Sequence, residues 1–510
     1  MTGATTHREV ERKFRVHGLF AMPDLAELAP KVESLPTFAM TAVYHDTVEL
    51  SLFRWGITLR RREGGGDEGW HMKLPVAGAD GTTRDEMHVP LAAGAVGSVP
   101  GTLIQVVAPL LHELPLEPVI ELNTERTPTV LSDDDGTALV EVVDDVVTVS
   151  HEGRVVSVFR EVEVETLVPD DARAQEITSG VSTLLLGAGA EPSSVSKAAS
   201  VLGPRTAEPP DVPAVPFPHP SGLAVDAIRA NLARHVRALL MADIGVRRDL
   251  PDSVHQMRVS ARRLRSTFAT FAPLLDEQEA NHLKDELRWM ANELGAIRDT
   301  EVMIERLDDH AGHLSDHHDT ERCQSVIDPF LGARLTAARS SALAALRSDR
   351  HQQLVDDLIA AAVRPPVNDA AYGSCEEVLL PLVTKSWRRL ERSVAALSMR
   401  GASEPWHDAR IRAKRARYAA EAVADVFGKR MRRLAAELAD VTEILGDHQD
   451  AFVAQGVLRE IAATPAADGL VGLSLGLLHE YETEVEMHDR HRFHRAWAGA
   501  RERARAARVA

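Results

Sequence analysis

Along the first two hundred residues, apolar and polar positions alternate at every second residue in short runs. In "HREVERKFRV" (7–16), Glu9, Glu11 and Lys13 fall on one side, and Val10, Arg12 and Phe14 on the other. The same period of two marks "ITLRRRE", "GWHMKLPV", "TRDEMHVPL", "PVIELNTE", "TALVEVVDDVVTVS" and "RVVSVFREVEVETLV". Gly, Pro and Asp break up these runs, so they predict strands of an antiparallel sheet or barrel, with short helices near 23–33 and 171–187. The stretch "GPRTAEPPDVPAVPFPHP" (203–220) holds seven prolines and no periodic pattern, and so reads as an extended linker. From 221 almost to Ala510, Ala, Leu, Arg and Glu recur at helical spacing. The pattern predicts a multidomain α+β chain: a β-rich domain at 1–203, a Pro-rich linker at 204–220 and an all-α domain at 221–510.

The polar faces of the predicted strands carry charge. Arg60 and Arg62 share a side, Lys73 stands in step with His71, Arg84 with Glu86, and Glu161, Glu163 and Glu165 line up together. The first and last strands are acidic and the middle ones basic. Two arrangements fit: an ordinary half-exposed sheet with a wet face, or a closed sheet whose charges point inward around a lumen. In the second, the carboxylates suit a hard divalent cation and the basic side chains suit phosphate.

The helical half contains an internal repeat. "HQMRVSARRLR" (255–265) matches "HDARIRAKRAR" (407–417), and each is followed about forty residues on by "LGAIRD" (294–299) or "LGDHQD" (445–450). The repeats span about 221–365 and 370–510. On a helix, His255, Arg258, Arg262 and Arg265 form one stripe, and His407, Arg410, Lys414 and Arg417 form its copy. Val254, Met257, Ala261, Leu264, Phe268 and Phe271 make the packed face of the first copy. Stacked like charges repel unless something compensates. Either acidic groups do so internally (Asp299, Asp450, Glu286, Glu293, Glu437 and Glu443), or an external polyanion lies across both stripes. His255 and His407 suit either phosphate or a backbone carbonyl, and the "HAGHLSDHHD" segment (310–319) reads as a loop between helices.

Bulk properties narrow the classes. The 510 residues carry a net charge of −18, split as −16 in residues 1–220 and −2 in 221–510. Such an acidic front half speaks against nucleic acid as a partner. There is no apolar run of membrane-spanning length and no signal pattern, and the two cysteines, Cys323 and Cys375, make no disulfide framework. A cytoplasmic protein, away from membranes, is expected. Only eight basic residues are lysine, and the arginine excess suits bidentate phosphate binding.

Ordered motifs tie these features to two families. "EVERKF" resembles the E-x-E-x-K signature of the CYTH family, the triphosphate tunnel metalloenzymes. "YHDT" (44–47), "LRRR" (59–62), "MKLP" (72–75), "TRDE" (83–86), "ER" (125–126), "EVVDD" (141–145), "EVEVE" (161–165) and "SK" (196–197) follow in order. The resemblance implies an eight-stranded antiparallel tunnel that hydrolyses triphosphates or, in one branch, cyclises ATP. By position, Glu9, Glu11, Glu163, Glu165 and Asp145 would hold Mg²⁺ or Mn²⁺, although the twin Asp144 leaves that register open. Lys13, Arg60, Arg62, Lys73, Arg84, Arg126 and Lys197 would bind the triphosphate chain. Glu161 would bind metal or activate water, and Lys13 would act as general acid or electrostatic clamp, beside Glu9 and Glu11 in catalysis.

The repeated "HxxR(V/I)xx(R/K)RxR" with its trailing "LGxxxD" resembles the CHAD domain, the conserved-histidine α-helical domain. It implies two pseudo-symmetric four-helix bundles that bind inorganic polyphosphate through His255, Arg258, Arg262, Arg263, Arg265, His407, Arg410, Lys414, Arg415 and Arg417, and an association with polyphosphate granules. The combined expectation is a metal-dependent inorganic triphosphatase with a polyphosphate-binding domain. The alternatives are a non-catalytic polyphosphate binder and a nucleotide triphosphatase or adenylyl cyclase.

Overall fold

The computed structural model describes residues 5–76, 83–151 and 154–510, and the chain divides into two compact units at Asp211/Val212. In the first unit the strands are β1 (Thr5–Val16), β2 (Lys31–Ser34), β3 (Phe38–Asp46), β4 (Thr58–Glu63), β5 (Gly69–Pro75), β6 (Thr83–Val89), β7 (Glu117–Ser132), β8 (Ala138–His151), β9 (Arg154–Thr166) and β10 (Glu191–Ser193). Its helices are α1 (Ser51–Arg54), α2 (Gly101–Val107), α3 (Ala172–Gly187) and α4 (Lys197–Leu202).

The sheet runs β1-β6-β5-β4-β3-β7-β8-β9 and closes by pairing β9 with β1, which makes an eight-stranded antiparallel barrel. β1 makes the closure. One edge pairs with β9 from Glu11 to Val16; the other pairs with β6 from Thr5 to Val10 and with β10 from Lys13 to Arg15.

Period two then separates the faces. On β9 the odd residues Glu161, Glu163 and Glu165 point one way, while Val162 and Val164 point the other and are fully buried. These valines join Phe14, Leu131, Val140 and Val142 against Ile177, Val181 and Leu185 of α3. The apolar face is therefore the outer one, covered by a helix, and the charged face is the inner one. Asp171 caps α3 by accepting from the Ala174 N–H at 2.8 Å.

The helix expected near 23–33 does not form. Asp24 accepts the Ala26 N–H at 2.9 Å in a local turn, Pro30 interrupts the segment, and residues 31–34 pair with β7 instead.

The Pro-rich stretch is anchored on each unit separately: Arg54 donates to the Pro209 carbonyl at 2.8 Å, and Arg237 donates to the Val212 carbonyl at 2.6 Å. Among the described residues of the second unit the helices are α5 (Ala224–Arg247), α6 (Ser253–Thr270), α7 (Glu277–Glu293), α8 (Gly295–Ala311), α9 (His317–Leu346), α10 (Asp349–Val363), α11 (Cys375–Ala395), α12 (Glu404–Phe427), α13 (Lys429–Ala462) and α14 (Gly469–Ala506). The repeated basic segments occupy α6 and α12, which pack together. "LGAIRD" lies at the break between α7 and α8, whereas "LGDHQD" lies inside the unbroken α13. No helix among the described residues is long and apolar enough to cross a membrane.

Leu185 is fully buried between α3 and the barrel wall. Leu185→Ala is expected to destabilise the barrel by about 2–5 kcal/mol, read from urea unfolding, because the rigid sheet cannot collapse onto the missing volume.

Candidate functional site

The barrel encloses a cavity of about 420 Å³ lined by charge from nearly every strand. At one end a network joins β1, β7, β8, β9 and α4. Lys13 Nζ lies 2.9 Å from Glu11 and 3.2 Å from Glu163. Glu163 also meets Lys197 at 2.6 Å and Arg126 at 3.0 Å. Arg126 grips Asp145 bidentately, at 2.8 and 2.6 Å, and Lys197 adds a third contact at 3.0 Å. Burial alone would pull the Lys13 ammonium down; Glu11, Glu163 and Glu161 outweigh it and hold it well above the usual lysine range. Burial likewise opposes ionised Glu163, yet Lys197, Lys13 and Arg126 keep it well below the usual carboxylate range.

A second network joins β1, β4, β5 and β6. Lys73 Nζ is 2.5 Å from Glu9, 3.7 Å from Glu11 and 3.8 Å from Glu86. Glu86 meets His71 Nδ1 at 2.7 Å and Arg60 at 3.8 Å. Arg62 turns toward the rim and donates to the Asp67 carbonyl at 3.0 and 2.8 Å, and to its carboxylate. Burial, with Arg60 and Arg126 nearby, pushes the Arg62 guanidinium down to about 9. Arg84, paired opposite Glu9, lines an adjoining cavity of about 620 Å³ that shares Glu11, Lys13 and Lys73 with the first, and donates to the Gly56 carbonyl.

The carboxylates fall into two groups. Asp145, fully buried, and Glu163 are spent on cations. Glu9 Oε2, by contrast, is buried without a partner, and among the described residues Glu141 and Glu165 make no ion pair or side-chain hydrogen bond. Burial and the neighbouring charge of Glu9, Glu11 and Glu141, against Lys73, push the Glu165 carboxyl up to about 7. Such a cluster of oxygen donors short of positive charge fits a hard divalent cation. Glu9, Glu11, Glu141 and Glu165 are the residues available to hold it. Among the expected ligands, Asp145 and Glu163 instead anchor Arg126 and Lys197. Asp145 faces inward, while Asp144 faces outward to Arg160 at 2.8 and 2.6 Å. Glu161 is buried against Lys197 at 3.1 Å, and burial pushes its carboxyl up. Glu141, Glu86 and Tyr44, which bonds Arg60, also line the lumen, although no role was expected of them. For Glu141 the signal was its even spacing with Asp145.

On the helical unit, α6 and α12 bring Arg258 and Arg262 near Arg410 and Lys414. Each lowers the Lys414 ammonium, after burial as the first cause, to about 7. Of the expected internal compensators, Asp299 meets Arg258 at 3.0 Å. Asp450 forms no ion pair within 4 Å among the described residues, while Glu286 pairs with Arg350 at 2.6 Å and Glu437 with Arg503 at 3.2 Å. The Nε atoms of Arg262 and Arg410 are buried without partners. Arg265 and Arg415 lie within electrostatic reach of one another. Arg263 and Arg417 turn away to share Glu421, at 3.6 and 2.7 Å. His407 bonds Gln449 at 2.6 Å, and His255 is half-buried on its helix.

A closed barrel lined in this way has the triphosphate tunnel fold. The CYTH domain family matches residues 7–197 and the CHAD domain family matches residues 230–459, and the chain belongs to the proteins that join the two. It is 34% identical over 508 residues to the uncharacterized protein MT2285 of Mycobacterium tuberculosis, covering 94% of this chain and 93% of that one. Among solved structures, PptA from Streptomyces chartreusis is 26% identical with a TM-score of 0.49, over 55% of this chain and all of that one. The CHAD domain from the plant Ricinus communis is 24% identical with a TM-score of 0.46, over 56% of this chain and 94% of that one.

Glu165 generates a pH prediction. Its folded pKa is raised from 4.5 to about 7, so in metal-free protein its contribution to stability is fully present below about 4.5 and lost as pH rises through about 7. Protons and cations compete for this carboxylate, so Mn²⁺ affinity is expected to fall as pH drops through 7. Glu165→Gln should flatten both dependences, as read by thermal unfolding and Mn²⁺ titration.

Proposed function

We propose that the tunnel hydrolyses inorganic triphosphate to pyrophosphate and phosphate with Mg²⁺ or Mn²⁺, and that the helical unit binds polyphosphate across α6 and α12. One observation carries the first part: a single lumen holds buried cations along its walls and, beside them, carboxylates that lack enough positive charge of their own. A polyanion chelating a divalent cation supplies what both sets need.

Arg60, Arg62, Lys73, Arg126, Lys13 and Lys197 would bind and straighten the phosphate chain. The transition state of phosphoryl transfer is loose and spreads charge over transferred and leaving oxygens, so cations fixed in advance do most of the work. Lys13 keeps its proton too firmly for a general acid and acts as a clamp on that developing charge. Glu161, buried with a raised carboxyl pKa, accepts the proton of the attacking water. When bound, the cation held by Glu9, Glu11, Glu141 and Glu165 would neutralise phosphate oxygens.

For the helical unit, the supporting observation is a basic cluster in which Asp299 pairs with Arg258, while Asp450 offsets Arg410 and Lys414 only from beyond ion-pair distance. A bound polyanion would restore the Lys414 proton that its neighbours depress.

A second reading, an organic triphosphate such as ATP, is favoured by the adjoining cavity of about 620 Å³, whose walls include Phe53, Pro192 and Val195.

Phosphate release from tripolyphosphate, long-chain polyphosphate and ATP, each with and without Mg²⁺ or Mn²⁺, tests these readings. Fast, metal-dependent release from tripolyphosphate alone is expected; ATP as the better substrate would replace the inorganic reading with the organic one. Glu11→Gln should lower turnover by about 10²-fold or more while leaving long-chain polyphosphate binding unchanged.

Arg262→Glu combined with Lys414→Glu is expected to weaken long-chain polyphosphate binding at least tenfold and to flatten its salt dependence. Unchanged retention would show the stripe to be an internal seam.

A further inference from the structure

Beside the tunnel, three side chains form a donor set of a different kind. Asp67 sits in the Gly-rich turn between β4 and β5, His71 on β5 and His88 on β6. One donor atom from each lies within 4.8 Å of the others. Asp67 Oδ1 is 3.8 Å from His71 Nε2 and 3.9 Å from His88 Nε2, and the imidazole rings are 4.9 Å apart.

The protons do not balance in this nook. His71 is only 1% exposed, and oxygens face both its nitrogens: Glu86 Oε1 at 2.7 Å from Nδ1 and the Asp67 carbonyl at 3.1 Å from Nε2. Burial, aided by Arg60 and Arg62 and opposed by Glu86, pushes its imidazolium down to about 4, so the ring is neutral with one proton for two oxygens. Arg62 already saturates the Asp67 carbonyl through Nε and Nη2. The proton therefore belongs on Nδ1 toward Glu86, which leaves the Nε2 lone pair aimed at oxygen. His88 Nε2 lies 3.1 Å from the Glu68 carbonyl, to which the neutral ring donates when its proton is on Nε2. A cation on the two Nε2 atoms and Asp67 Oδ1 would turn the His71 repulsion into attraction and take the place of the His88 proton. Asp67 Oδ2 would stay with Arg62, and the Glu86–His71 bond would be the carboxylate–imidazole support usual behind a metal-bound histidine.

We infer that Asp67, His71 and His88 form a second cation site at the rim of the tunnel, taking a borderline divalent ion of the Zn²⁺ or Co²⁺ type. Imidazole nitrogens select such ions, whereas the all-oxygen set of Glu9, Glu11, Glu141 and Glu165 suits Mg²⁺ or Mn²⁺. The site needs no hydrolysis in the tunnel. An ion there would sit behind Arg62, bridged to it by Asp67.

Co²⁺ is the probe, because four-coordinate ligation including imidazole gives d–d absorption far more intense than that of six-coordinate oxygen-ligated Co²⁺, whether or not the enzyme turns over. Full-length protein is expected to take up one equivalent with that absorption, Glu11→Gln should retain it, and His88→Ala and Asp67→Asn should each weaken it at least tenfold. Both substitutions lie at the partly exposed rim, and circular dichroism of each variant checks its fold. Unchanged absorption in folded His88→Ala, no such absorption in the parent protein, or its loss in Glu11→Gln would each overturn the site.

Discussion

Closing a sheet whose inner face is ionic is the constraint on which the rest of this molecule depends. The β1–β9 seam puts Lys13 beside Glu163 and Glu11 beside Glu165. Charges taken out of water carry a desolvation cost of several kcal/mol each unless partners replace the lost hydration. The barrel meets that cost unevenly. Around Asp145 and Glu163 the pairing is dense, and Arg126, Lys13 and Lys197 are fixed in place by it. Around Glu9, Glu141 and Glu165 it is sparse. The rigid half supplies prepositioned cations, and the under-compensated half supplies an appetite for a divalent ion.

In the helical unit several buried charges are matched. Fully buried Glu482 meets Arg306 and His310, both at 2.7 Å; Asp243 meets Arg247 at 2.7 Å and His351 at 2.6 Å; Glu486 meets Arg490 at 2.7 Å. These groups hold helices together. In the α6–α12 cluster Arg262 and Arg410 keep buried Nε atoms without partners, a feature shared elsewhere in the unit by Arg229 Nε and Asp489 Oδ2. The two units thus leave opposite charges short of partners: carboxylates in the lumen, beside cations already held in place, and arginines along the α6–α12 pair.

Much of this was legible in the sequence because its two periods are local. Alternation placed Glu9, Glu11 and Lys13 on one face and Glu161, Glu163 and Glu165 on another, and the 3-and-4 spacing put Arg258, Arg262, Arg410 and Lys414 on helix stripes. The structure corrected what depended on partners. Arg263 and Arg417 belong by motif to the basic surface, but Glu421 draws them aside. Arg84 stands opposite Glu9 and lines the adjoining cavity, which shares Glu11, Lys13 and Lys73 with the first. The helix expected near 23–33 gave way to a turn and a short strand, because Pro30 and pairing with β7 outweighed helical propensity.

The sequence by itself determined which side chains share a face, that the chain has a β-rich and an all-α part, and that its families are those of a phosphate tunnel and a polyphosphate-associated helical domain. Only the tertiary structure decided which charges are spent on one another. That is a matter of distance between residues far apart in the chain: Asp145 and Glu165 are both inward-facing acids on neighbouring strands, yet Arg126 and Lys197 reach the first and, among the described residues, no cation pairs with the second. Electrostatic energy falls with separation, and periodicity carries no information about separation across a barrel.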